Sequence, residues 1–147
     1  MIASTTLKHR ADKEVTKFGG AVVLYQAWNE EAERQLINNL RFIRDLQDTP
    51  YVPRLLASGG SYALVEYVAD EPITDRVRFA ANCTDLRDIL ERRGIVHGDL
   101  TRINVLVRDN VPVLCDFDQS RYRNEDRPDK RPEGDAYWIA QLIEAVR

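Results

Sequence analysis

A chain of 147 residues can build one hydrophobic core or two small lobes, and little more. Its 44% apolar and 31% charged residues are those of a globular protein, and a formal net charge of −3 argues against nucleic acid as the main ligand. No early apolar segment follows the first charges and no later run approaches a membrane span, so no membrane association is expected and the cytoplasm, or nucleocytoplasm, is the expected location.

In chain order, residues 14–28 read as two strands broken at Gly19-Gly20. A helix follows from about Asn29 to Leu46. Asn29 suits its N-cap, Glu30 and Glu31 suit the positive end of its dipole, and Leu36, Ile37, Leu40 and Ile43 form its apolar stripe. Residues 48–68 read as a loop, a short strand, a Gly-Gly-Ser turn and a second strand. Asp70 to Asn82 reads as a connector, and a second helix is expected from about Thr84 to Arg93, stopped by Gly94. Residues 104–117 predict a hairpin turning at Arg108-Asp109-Asn110. A last helix begins near Asp135, with Trp138, Ile139, Leu142, Ile143 and Val146 at helical spacing. The expected class is α+β, with two lobes, 1–68 and 69–147, joined near Val68 to Asp70.

The stretch GIVHGDLTRINVLVRDNVPVLCDFDQS, Gly94 to Ser120, places Asp99, Asn104 and Asp116 at the ends of apolar strand-like runs. Charge beside a core is costly to desolvate, and a bound cation removes the conflict. A hairpin sets its outer ends side by side, so Asn104 and Asp116 are expected to converge. One amide oxygen and one carboxylate suit Mg²⁺, a hard cation that keeps waters and phosphate oxygens in its other positions. Asp99 then lies close enough to orient an attacking hydroxyl or take its proton, the apparatus of phosphoryl transfer.

VHGDLTRIN followed by LCDFD resembles the catalytic and metal loops of the protein-kinase-like superfamily. HGD in place of HRD is similar to its atypical branches: RIO kinases, aminoglycoside and related small-molecule phosphotransferases, and the small kinases of the KEOPS tRNA-modification complex. The resemblance implies a minimal two-lobed kinase-like fold, with a small sheet and helix in the N-lobe and a reduced helical C-lobe carrying the catalytic hairpin. It implies ATP and Mg²⁺ as cofactors, Asp99 and Asn104 as catalytic residues, and Asn104 and Asp116 as metal ligands. Kinases steady the nucleotide phosphates with a strand Lys paired to a helix Glu. Of Lys8, Lys13, Lys17 and Lys130, only Lys17 has strand context. Glu33, followed by Leu36, Ile37 and Leu40, fits as its partner better than Glu31. Glu66 to Val68 resembles the hinge strand that offers backbone groups to adenine, and Asp135 resembles the buried Asp that braces the catalytic loop, with His97 packing beneath it.

The chain departs from that pattern in places. No G-x-G-x-x-G precedes Lys17, Thr101 and Arg102 replace a Lys-containing pair, and the sequence stops twelve residues after Asp135. These departures keep open a pseudokinase or nucleotide-binding interaction module, and a partner-dependent ATPase, beside a phosphotransferase acting on an unknown hydroxyl acceptor, protein or small molecule. They also allow a protein partner that completes the reduced lobes. Taken singly, Asp99, Asn104 and Asp116 are ordinary turn residues, and Lys17 with Glu33 a surface ion pair. Residues 121–135 read most simply as a solvated loop of mixed charge, with a short activation-type or substrate-contacting segment as the sharper reading. Trp28 and Trp138 read as core or interface residues, Cys115 as a buried thiol and Cys83 as inert.

Overall fold

Strand alternation between 13 and 27 and a capped amphipathic helix after it produce the first of two compact units, Met1–Val68 and Ala69–Arg147. The computed structural model of the chain describes residues 4–9, 13–19, 22–126, 131 and 133–147. In the first unit, β1 (Ser4–His9), β2 (Lys13–Phe18), β3 (Val22–Ala27), β4 (Leu55–Ser58) and β5 (Tyr62–Glu66) form one antiparallel sheet in the order β1-β2-β3-β5-β4. The expected break at Gly19-Gly20 falls partly outside the described residues, since only Gly19 is described, with φ +65°. β1 was not expected from the sequence; it pairs with β2 from Ser4↔Phe18 to His9↔Glu14.

Helix α1 (Glu30–Asp45) begins where Asn29 Oδ1 accepts the backbone N–H of Ala32 at 2.8 Å, and it packs on β3 and β5. Ala27, Ala32, Leu36, Leu40 and Ala63 form a core, with Tyr25 and Leu55 against it. Two expectations need correction. Ile37 is 55% exposed and lies off the buried stripe, because a helix turns 100° per residue and Leu36 already occupies the core face. Trp28, read as a core or interface residue, follows β3 and is 49% exposed, so it is no part of the core.

The second unit contains α2 (Arg76–Arg92), β6 (Ile95–Val96), a 3₁₀ turn (Arg102–Asn104), β7 (Val105–Arg108), β8 (Val111–Leu114), β9 (Arg121–Tyr122) and α3 (Asp135–Glu144). Helix α2 starts eight residues before the expected Thr84, within the expected connector. Asp75 caps it by accepting the Arg78 N–H at 3.0 Å, and Phe79, Cys83, Leu86 and Leu90 all lie buried on one face. Val77, 82% exposed, blurs that stripe in the sequence. Burying one such side chain contributes about 1.5–3 kcal/mol, against a few tenths for residue propensity, so packing on α3 and β8 sets where the helix begins.

β7 and β8 form the expected hairpin, with Val105↔Leu114 and Arg108↔Val111 in register. Asp109 and Asn110 turn it with φ of +50° and +60°, the left-handed pair that a two-residue turn of primed type demands. Asn110, almost fully buried, offers Oδ1 to the N–H groups of Thr74 and Asp75 at 2.9 Å, while Asn82 Nδ2 donates to its carbonyl at 2.8 Å. The tip of the hairpin is thereby fastened to the start of α2. Asp70 Oδ1 accepts the Val107 N–H at 3.0 Å and Glu71 N–H donates to the Val107 carbonyl at 2.8 Å, so the chain leading into α2 runs beside β7. The architecture is α+β.

Candidate active site

The sequence His97-Gly98-Asp99 lies between β6 and the 3₁₀ turn, and its conformation depends on glycine. Gly98 has φ +84°, and a Cβ there would stand 2.8 Å from the Gln119 carbonyl oxygen. His97 and Gly98 donate their backbone N–H groups to the two carboxylate oxygens of Asp135, at 2.7 and 3.1 Å. Asp135 opens α3, where the positive end of the helix dipole suits a carboxylate.

The His97 ring is fully buried and lies 4.9 Å from the Phe117 ring. Its Nδ1 accepts the Asp99 N–H at 3.2 Å, which leaves the proton on Nε2, facing the Cys115 carbonyl at 3.3 Å. Burial pushes the imidazole below its ordinary pKa of 6.5 and outweighs the opposing pull of Asp135, the Cys115 carbonyl, Asp116 and Asp99. A neutral ring thus links the His97–Asp99 loop to the strand that precedes Asp116. Ser120 Oγ adds a bond of 2.7 Å to the His97 carbonyl.

Asp99 is buried, and both of its carboxylate oxygens are held. Asn104 Nδ2 donates to Oδ2 at 3.2 Å and to the Asp99 carbonyl at 2.7 Å. Arg131 Nε donates to Oδ1 at 3.0 Å. Within the segment 121–135, read most simply as a solvated loop, Arg131 reaches Asp99; residues 127–130 and 132 lie outside the described residues. The sequence offered the segment as a candidate substrate contact but did not mark Arg131 within it, because an Arg among mixed charges carries no periodicity.

Because the amide nitrogen of Asn104 is committed to Asp99, its oxygen is the atom left to meet a ligand. The Cys115 N–H donates to the Asn104 carbonyl at 3.0 Å, which extends the hairpin by one rung and places exposed Asp116 one residue beyond it. Asp116 has φ +62° and accepts the Asp118 N–H at 3.2 Å. Among the described residues, no three His, Cys, Asp or Glu side chains cluster as a metal site. An amide oxygen and one carboxylate nevertheless fit Mg²⁺, which takes its remaining ligands from water and phosphate. Cys115 is half-buried, not buried, with its thiol 3.4 Å from the Asn104 carbonyl. Cys83 is buried, and its thiol is pushed up to about 12 by desolvation.

Lys17, Glu33, Glu66 and Val68 belong to the first unit. The expected Lys17–Glu33 ion pair is absent among the described residues: the Lys17 ammonium sits 3.7 Å from the centroid of the Tyr67 ring. The ring face attracts a cation without the cost of fixing a second flexible side chain. Glu66 is tied to Arg54, accepting its N–H at 3.0 Å and donating its own N–H to the Arg54 carbonyl at 2.9 Å, and Val68 is buried.

Comparison with known proteins places this geometry in a family. The chain is 32% identical over 69 residues to a probable bifunctional tRNA threonylcarbamoyladenosine biosynthesis protein of Methanothermobacter thermautotrophicus, an alignment spanning 45% of this chain and 13% of that protein. Its fold is similar to that of the Rio2 kinase–ADP/Mg²⁺–phosphoaspartate complex from Chaetomium thermophilum. The TM-score there is 0.69 at 16% identity, covering 99% of this chain and 53% of that one. It is also similar to the ADP-bound aminoglycoside phosphotransferase APH(2'')-Ib, with TM-score 0.58 at 13% identity over 81% and 66% of the two chains. No helix among the described residues is long and apolar enough to cross a membrane. The RIO domain model matches residues 56–142, well over half of the chain, and the protein therefore belongs to the RIO domain family.

Proposed function

We propose that this protein is an ATP- and Mg²⁺-dependent phosphotransferase that moves the ATP γ-phosphoryl group to a hydroxyl acceptor. The reading rests on one observation above others: Asp99 is buried yet oriented by Asn104, whose amide nitrogen is spent on it and whose oxygen remains for a cation. In this scheme Asp99 orients the acceptor hydroxyl. The Pγ–O bond to the β-phosphate breaks, its electron pair leaves on ADP, and the acceptor oxygen bonds to phosphorus. The hydroxyl proton passes to Asp99 and then to solvent. Asn104 and Asp116 would hold Mg²⁺, which when bound offsets the charge of the phosphates. Lys17, resting on Tyr67, steadies the phosphates, and the Glu66–Val68 backbone meets the adenine. His97 and Asp135 fix the loop. The N-terminal and C-terminal units act as the two lobes, in the cytoplasm or nucleocytoplasm.

A second reading, a partner-dependent ATPase, comes from the resemblance to the KEOPS kinases, and the name of the Methanothermobacter relative turns it toward tRNA modification. Calorimetric titration with ATP, with and without Mg²⁺, tests the site. We expect Mg²⁺-dependent binding that Asp116→Asn removes, and an Asp99→Asn protein that binds normally while losing transfer by about 10³-fold. Binding indifferent to both Mg²⁺ and Asp116 overturns the assignment. Phosphate release only with a partner, and no phosphorylated acceptor, selects the ATPase.

A further inference from the structure

Arg131 has no place in the scheme above, yet it is built into the site. Its Nε donates to Asp99 Oδ1 at 3.0 Å, its guanidinium lies 5.8 Å from the centroid of the Trp138 ring on α3, and its side chain stays 39% exposed. Among the described residues, neither Nη atom has a hydrogen-bond partner, so the outer donors of the fork remain available. The other cation of the loop is turned away: Arg102 spends its Nη atoms on the Val105 carbonyl and on Asp70. Asp99 is itself an anion, and a phosphoryl group passing to a hydroxyl held on Asp99 brings more negative charge to within a few ångströms of it.

We propose that Arg131 is a catalytic residue for the transfer, bridging Asp99 through Nε and the migrating phosphoryl group through its Nη donors. The inference rests on the phosphotransferase reading and adds to it a cation supplied from the segment before α3. As the Pγ–O bond to ADP breaks and the bond to the acceptor oxygen forms, charge spreads onto the three equatorial phosphoryl oxygens, where planar N–H donors serve best. A loose transition state asks Asp99 for orientation more than for proton removal, and a carboxylate held by a guanidinium supplies that orientation.

The test uses the full chain with ADP, Mg²⁺ and aluminium fluoride, which mimics the phosphoryl group in flight and needs no acceptor. Calorimetry should show that aluminium fluoride tightens ADP binding to the wild type. In Arg131→Gln that increment should fall about 100-fold while affinity for ADP alone stays within about threefold; Arg131→Lys should keep part of it. ATP turnover of Arg131→Gln should lose kcat by a similar factor with KM for ATP nearly unchanged. An increment unchanged in Arg131→Gln overturns the proposal and leaves the phosphotransferase standing. A fall in affinity for ADP alone as large as the fall in the increment overturns it too, by making Arg131 merely structural. A wild type that binds no ADP with Mg²⁺ defeats the phosphotransferase reading, and this inference with it.

Discussion

The two units bury different things. The first unit covers one helix with a five-stranded sheet and buries an apolar cluster of Ala27, Ala32, Leu36, Leu40 and Ala63. Of the six buried polar residues described, only Thr16 lies there; His97, Asp99, Asn104, Asn110 and Ser120 lie in the second. A buried polar group without a partner costs about 1–3 kcal/mol, so each of these five must be paired, and each is. A unit this small concentrates polar groups in its interior only where their orientation matters. The contrast sets a buried, paired polar network in the second unit against Lys17 resting on Tyr67, in place of a fixed ion pair, in the first.

Three tests probe that contrast, in descending size of effect. Gly98→Ala should destabilise the protein by about 2–4 kcal/mol, because it combines a left-handed residue with a backbone clash; Gly60→Ala in the first unit, with open space around it, should change stability by less than about 1 kcal/mol. Urea denaturation measures both. Equal effects would show that the loop yields easily and is not rigidly set.

The second concerns pH. His97 titrates below its ordinary 6.5 when folded, so acid protonates the unfolded chain first. Stability is greatest above pH 6.5 and falls as pH drops from there toward the folded value, by up to about 1.4 kcal/mol per pH unit. His97→Gln should flatten that slope; an unchanged profile would assign it to other groups. The smallest effect belongs to the first unit. Glu33→Gln should alter stability by less than about 0.5 kcal/mol and ATP affinity by less than about twofold, and a tenfold loss of affinity would reinstate Glu33 as the anchor of Lys17.

The strands from Lys13 to Ala27, the Asn29 cap and the hairpin at Asp109-Asn110 were legible because each has a local cause: alternation, a side chain that caps, a turn residue that tolerates positive φ. The early start of α2 was not legible, since the helix face that carries Phe79 and Cys83 is buried only once α2 packs on other elements, α3 and β8 among them. The short pairing of β6 with β9, Ile95↔Tyr122 and Val96↔Arg121, was likewise invisible, because two-residue strands carry no period. Neither was the exposure of Ile37, which depends on which face α1 turns to the sheet.

The site divides the same way. Spacing within one loop and one hairpin was enough to single out Asp99, Asn104 and Asp116 as residues near one another in the chain's path, and Asp135 followed from the resemblance. That Asp135 receives two backbone N–H groups from 37 and 38 residues away, that burial keeps the His97 imidazole neutral, and that Arg131 grips Asp99 across 32 residues are decided by tertiary structure alone. Local patterns encode what a residue does to its own backbone; the partner of a charge is chosen by packing, and packing joins residues that the sequence keeps apart.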